Sequence, residues 1–156
     1  MSGEALWPFA LEIYGRPGVE AVLLELQDVH GQCVPYLLWA LWLDAEGRFA
    51  DDAALKSAAD LARAWQDAAI APLRGLRRDL KRPSKTAPKR AWGTLREGVK
   101  ALELDVERML LQMLESASPE PAGAAPDPLG SLHRATKAWG AAAPPELLQR
   151  LAAAAA

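Results

Sequence analysis

From Tyr36 to Leu43 the chain reads Tyr-Leu-Leu-Trp-Ala-Leu-Trp-Leu, eight residues without a polar position. A helix over this stretch has no face to offer water, so other elements must enclose it on all sides. It is far too short to cross a bilayer, which takes about 20 apolar residues as a helix, so the enclosure must come from the chain itself. The surrounding composition favours helices, because alanine is abundant and β-branched residues are scarce. With 156 residues, 51% of them apolar, there is enough chain for one core without disulfides or metals. The expected fold is all-α, a single helical bundle of about five helices with this segment at its centre.

Glycine and proline mark the helix boundaries. A first helix from Trp7 to Tyr14 ends at Gly15, and a second opens at Pro17 and ends at Gly31. The third, from about Val34 to Ala45, stops before Gly47. In the second helix Val19, Val22, Leu23, Leu26 and Val29 recur at helical spacing, which leaves Glu20, Gln27 and Asp28 to solvent. Asp51 or Asp52 caps a fourth helix whose stripe of Leu55, Ala58, Ala59, Ala62, Trp65 and Ala69 permits close helix approach. Pro72 kinks or restarts it.

The charge is segregated beneath a net −2. Residues 1–73 hold eleven acidic and four basic side chains, residues 74–100 two and ten, and residues 101–156 seven and four. Arg74, Arg77, Arg78, Lys81 and Arg82 form one face of the helix beyond Pro72, opposite Leu73, Leu76 and Leu80. The basic run continues through the Pro83–Pro88 linker with Lys85, then Lys89 and Arg90. A long helix follows from Trp92 to Glu115, roughly 36 Å at about 1.5 Å per residue. Its apolar residues Trp92, Leu95, Val99, Leu102, Val106, Met109 and Met113 alternate three and four apart. Such a seam asks for an antiparallel or coiled-coil partner, either the kinked fourth helix or a second copy of the chain. The expected organisation is a bundle over 1–115, a flexible Pro/Ala linker over 116–128 and a short helical C-terminal extension over 129–156, made of Leu129–Trp139 and Pro145–Ala156.

Trp7 and Phe9, then Tyr14, Pro17, Gly18 and Val19, then Leu26, Gln27 and Asp28, and finally Leu37, Leu38, Trp42 and Leu43 make up a spaced pattern. It resembles the N-terminal pattern of an uncharacterised proteobacterial domain-of-unknown-function family. Pro72, Leu73, Arg74, Arg77 and Arg78 resemble a later stretch of the same family. The resemblance implies kinship and brings no activity, cofactor or catalytic residue.

The chain contains no phosphate-binding loop, no dinucleotide fingerprint and no nucleophile elbow. Neither His30 nor His133 is preceded by glutamate at the third position, as a di-iron bundle requires. One cysteine and two histidines are too few for a closed zinc site, so no metal or cofactor is expected. His30 and Cys33 flank Gly31, but spacing alone does not activate a thiol. They read as a histidine at a helix end and a small core residue. Without a basic leader, and with Glu4 and Glu12 near the start, the chain reads as cytoplasmic.

What remains is recognition. Six tryptophans are many for this length; Trp39 and Trp42 are hard to bury together with Leu38 and Leu41, so one of them is expected at a pocket wall or contact. The basic residues Arg74 to Arg90 are expected to contact a partner, and the expected function is a non-enzymatic interaction or regulatory module. An RNA- or ribosome-associated protein is the alternative; with six to ten phosphate contacts, affinity would fall about 10³–10⁵-fold between roughly 50 and 200 mM salt. The net negative charge, and the lack of aromatics among the basic residues, count against that alternative. A helical protein with an apolar small-molecule pocket is the third reading.

Overall fold

The computed structural model describes residues 4–82 and 85–156. Among the described residues the helices are α1 (Leu6–Tyr14), α2 (Val19–Asp28), α3 (Val34–Ala45), α4 (Asp52–Trp65), α5 (Ala71–Asp79), α6 (Lys89–Ser116), α7 (Pro128–Trp139) and α8 (Pro145–Ala155). They contain no strand, only an isolated bridge between Arg48 and Pro121. The all-α bundle is as the sequence led us to expect. Among the described residues no helix is long and apolar enough to cross a membrane.

α3 occupies the centre for the reason its sequence gives. Every residue from Pro35 to Leu43 is buried, with α1, α2, α4, α6 and α7 all packed around it. Such burial stabilises at roughly 1.5–3 kcal/mol per large apolar side chain. Two of its polar atoms are satisfied by distant parts of the chain: the Tyr36 hydroxyl donates to Leu55 O at 3.1 Å, and the Trp39 indole N–H donates to Ser118 Oγ at 2.8 Å. Asp51 caps α4 by accepting from the Ala54 N–H, as expected of a residue at that position.

Between α4 and α5 the chain makes one π-helical turn, Gln66–Ile70. Pro72 explains its place: the ring has no N–H and would collide with the carbonyl four residues back, and a wider turn relieves that collision. The kinked α4–α5 unit lies along α6. The Trp92 N–H fastens the far end of this hairpin by pointing at the carbonyls of Leu80 and Arg82, at 3.0 and 2.9 Å.

The C-terminal third returns to the bundle. Residues 117–127 are an extended strap held by backbone contacts, with the N–H groups of Ala122 and Ala124 both donating to Gly47 O. Gly47, at φ 63°, turns its carbonyl toward the strap in a conformation that favours glycine. Arg48 donates to Pro119 O, and Asp44 accepts from the Asp127 N–H. Beyond the strap, Leu132, Ala135 and Trp139 of α7 and Leu148 and Leu151 of α8 are buried in the same core as α3. The segment read as an extension therefore completes the bundle. α8 packs on α2, and Arg16 donates to the Ala154 carbonyl in its last turn.

Candidate functional site

The eight basic residues singled out in the sequence fall into two groups. Arg74, Arg77 and Arg78 are committed to carboxylates within the chain. Arg77 Nε donates to Glu103 Oε2 at 2.7 Å, Arg74 Nε lies 3.6 Å from Glu103 Oε1, and Arg78 donates to Asp28 at 2.8 Å. Arg74 also stands 4.0 Å from Glu107. The hydrogen bond to Glu103 raises the Arg77 pKa further. Lys81, Arg82, Lys85, Lys89 and Arg90 are exposed around the α5–α6 turn and form no ion pair among the described residues. Pro83 and Ser84 of the same linker lie outside the described residues.

Trp39 and Trp42 are both buried, and neither lines a cavity described for the fold. Trp39 stacks on Tyr36 with ring centroids 5.5 Å apart, and Arg48 covers Trp42 at 4.7 Å. A surface position for one of them was expected because α3 looked too crowded. The crowding is resolved by α7, which receives the face that the first six helices leave open. Cys33 is likewise interior, and burial pushes its thiol up to about 12, which makes it an inert core group.

The seam of α6 is split lengthwise. Val99 and Val106 face the bundle with Leu110 and Leu114, whereas Leu95, Leu102 and Met109 are about half exposed and Met113 over a third. Leu95, Leu102 and Met109 recur every seven residues, so they lie in one line along the helix. Ala91, Gly98, Asp105 and Gln112 run beside them, a second line holding one charge. At its lower end an open groove joins Met109 and Met113 to Leu61 and Trp65 of α4.

On the opposite flank of α6 lies a cavity of about 220 Å³. α1 supplies Trp7, Leu11 and Tyr14, α2 supplies Leu24 and Gln27, α3 supplies Leu38, and α6 supplies Leu104, Glu107 and Leu111. Glu107 is the anomaly: a carboxylate in an apolar lining that accepts no hydrogen bond among the described residues. Burial, reinforced by Glu103, pushes its pKa up to about 7, against the pull of Arg74 and Arg77. Burial also raises the Tyr14 hydroxyl, with Glu20 and Glu107 adding to the effect. Sequence reading missed this site because four separately ordinary helices assemble it. The available signal was Glu103 and Glu107, like charges one turn apart beside the core positions Val106 and Leu110.

The Glu107 shift fixes a pH dependence. Its folded pKa lies above the usual carboxylate value of 4.5, so the folded state holds the proton more tightly. That contribution is complete below the unfolded value and is lost as pH rises through the folded one. Thermal stability is expected to decline from about pH 5 to about pH 8, by on the order of 3 kcal/mol at most from this group. Melting curves of Glu107→Gln should be flatter across the same window; equal slopes in both proteins would assign the dependence elsewhere.

Fold and site together define a small helical bundle with an internal ion network, an apolar cavity and a half-exposed helical seam. Residues 5–114 match the family described as "Protein of unknown function (DUF2390)", and the chain belongs to that family. The cavity and the seam both lie within the matched segment, whereas α7 and α8 lie beyond it. Neither the curated proteins nor the solved structures provide a match.

Proposed function

We propose that the protein is a non-enzymatic, cytosolic interaction module, and that its partner is a second copy of the chain docked antiparallel along α6. The observation that carries this reading is the exposed line of Leu95, Leu102 and Met109 at heptad spacing on a helix of 28 residues. A helix that shows water an apolar line this long gains by covering it with a second helix.

Charge selects the orientation. The first half of α6 carries Lys89, Arg90, Arg96 and Lys100 against Glu97, and the second half carries Glu103, Asp105, Glu107 and Glu115 against Arg108. This order opposes the helix dipole, which prefers acids at the start and bases at the end. Glu103 is buried against Arg74 and Arg77 and Glu107 faces the other flank, so antiparallel pairing rests on the exposed Asp105 of each copy lying beside the basic first half of the other. Lys81, Arg82, Lys85, Lys89 and Arg90, which form no ion pair among the described residues, then contribute register and association rate more than affinity. Small residues at Ala91 and Gly98 let the two backbones approach.

Sedimentation of the wild-type chain is expected to show a monomer–dimer equilibrium in the micromolar range that weakens with salt. Leu102→Glu alters a half-exposed site, should change stability by no more than about 0.5 kcal/mol, and should leave only monomer. A wild-type monomer at every concentration defeats the proposal. So does retention on immobilised RNA that disappears when Lys85, Lys89 and Arg90 are neutralised while sedimentation stays unchanged, which would give the basic turn to RNA.

A further inference from the structure

We propose that the cavity between α1, α2, α3 and α6 binds a compact aromatic amine, its ring held between Trp7, Leu11, Leu38 and Leu111 and its ammonium group paired with the Glu107 carboxylate. The site lies on the flank of α6 away from the Leu95–Met109 line, so the inference is independent of self-pairing.

The size fits such a ligand. A space of about 220 Å³ is roughly seven waters' worth at about 30 Å³ each, enough for one ring with a short side chain. Its walls are apolar apart from Glu107, Tyr14 and Gln27, and few polar groups in an apolar pocket are what orients a small ligand. Glu107 is the one carboxylate in the lining, and its side chain is 27% exposed. It accepts no hydrogen bond among the described residues, and its nearest cation, Arg74 at 4.0 Å, also serves Glu103 at 3.6 Å. A cation brought into the cavity supplies a charged donor at hydrogen-bond distance, closer than Arg74 stands.

The sign of the ligand follows from the groups that face Glu107. These are Glu103 on the same helix, Arg74 and Arg77 on α5, Tyr14 on α1 and the Cys33 thiol beside α3. The two arginines are engaged by Glu103, and Glu20 adds negative potential at Tyr14. A carboxylate ligand would place a further negative charge beside Glu103 and Glu107, at a cost that an amine avoids.

The test is calorimetric titration of the intact wild-type chain with 2-phenylethylamine, 2-phenylethanol and 3-phenylpropanoate. The amine is expected to bind at least tenfold more tightly than either of the others. Its affinity should rise several-fold between about pH 6 and about pH 8, since Glu107 must ionise to pair with it while the amine stays protonated. Glu107→Gln, confirmed as folded by its circular dichroism, should bind the amine and the alcohol equally. Equal binding of the three probes by the wild type, no amine binding at millimolar concentration, or undiminished amine preference in Glu107→Gln overturns the proposal. The wild-type comparison decides the matter even if the variant does not fold.

Discussion

A chain that ends at Asp127 is expected to lose cooperative folding, and Trp139→Ala in the full chain to cost about 3–5 kcal/mol. The reason lies in α3, which has no polar face to expose when α7 is removed. Trp139 is 3% exposed, and its ring centroid stands 5.6 Å from that of Tyr36. Its indole N–H donates to Gly31 O at 2.9 Å, while the Arg63 guanidinium covers the ring at 3.9 Å and donates to the Trp139 carbonyl. Alanine leaves a cavity, an unpaired carbonyl at Gly31 and an arginine without its ring. Urea denaturation followed by circular dichroism should show the lower midpoint, and the truncated chain should show a broad transition with little near-ultraviolet signal. A truncated chain that unfolds sharply at the wild-type midpoint would reduce α7 and α8 to an accessory.

That prediction separates what the sequence reveals from what it hides. Helices α1 to α5 are bounded by Gly15, Pro17, Gly31, Gly47, Asp51 and Pro72, residues whose backbone chemistry acts locally and can be read locally. The central place of α3 is legible for a similar reason, since an unbroken apolar run states its own requirement. The destination of α7 is not. Four prolines between Ser116 and Pro128 read as a flexible linker, but the strap is held by backbone bonds to Gly47 O, and backbone donors carry no side-chain signature. The α6 seam shows a related limit. Its period is plain in the sequence, but which half of it the bundle covers depends on how α4, α5 and α6 are rotated about their axes. The Glu107 cavity was the least legible feature, because α1, α2, α3 and α6 each contribute residues that look ordinary on their own helix.

Glu103→Ala is expected to destabilise the fold by about 3–5 kcal/mol, the usual loss when one partner leaves a buried ion pair. Glu103 is 8% exposed and answers both Arg77, at 2.7 Å, and Arg74, whose side chain is 12% exposed. Without it the two guanidiniums retain only Glu107 between them, and Arg74 Nε already lacks a hydrogen bond among the described residues. Desolvation that the pair formerly offset is then uncompensated. Glu103→Gln should lose less, because the amide oxygen can still accept from Arg77. Replacing Arg74, Arg77 and Glu103 together by Met, Leu and Leu should recover most of the loss, since similar apolar volume needs no charge partner. The single variant carries a second signature that a merely packing role would not give. Glu103 helps to raise the Glu107 pKa, so Glu103→Ala should lower it and compress the decline in stability between about pH 5 and about pH 8. Chemical denaturation at several pH values reads both effects. A loss below about 1 kcal/mol with an unchanged pH slope would place the network among surface ion pairs. The same argument dictates which basic residues test binding: Arg74 and Arg77 hold the fold together, so a partner that recognises the basic turn is probed at Lys85, Lys89 and Arg90.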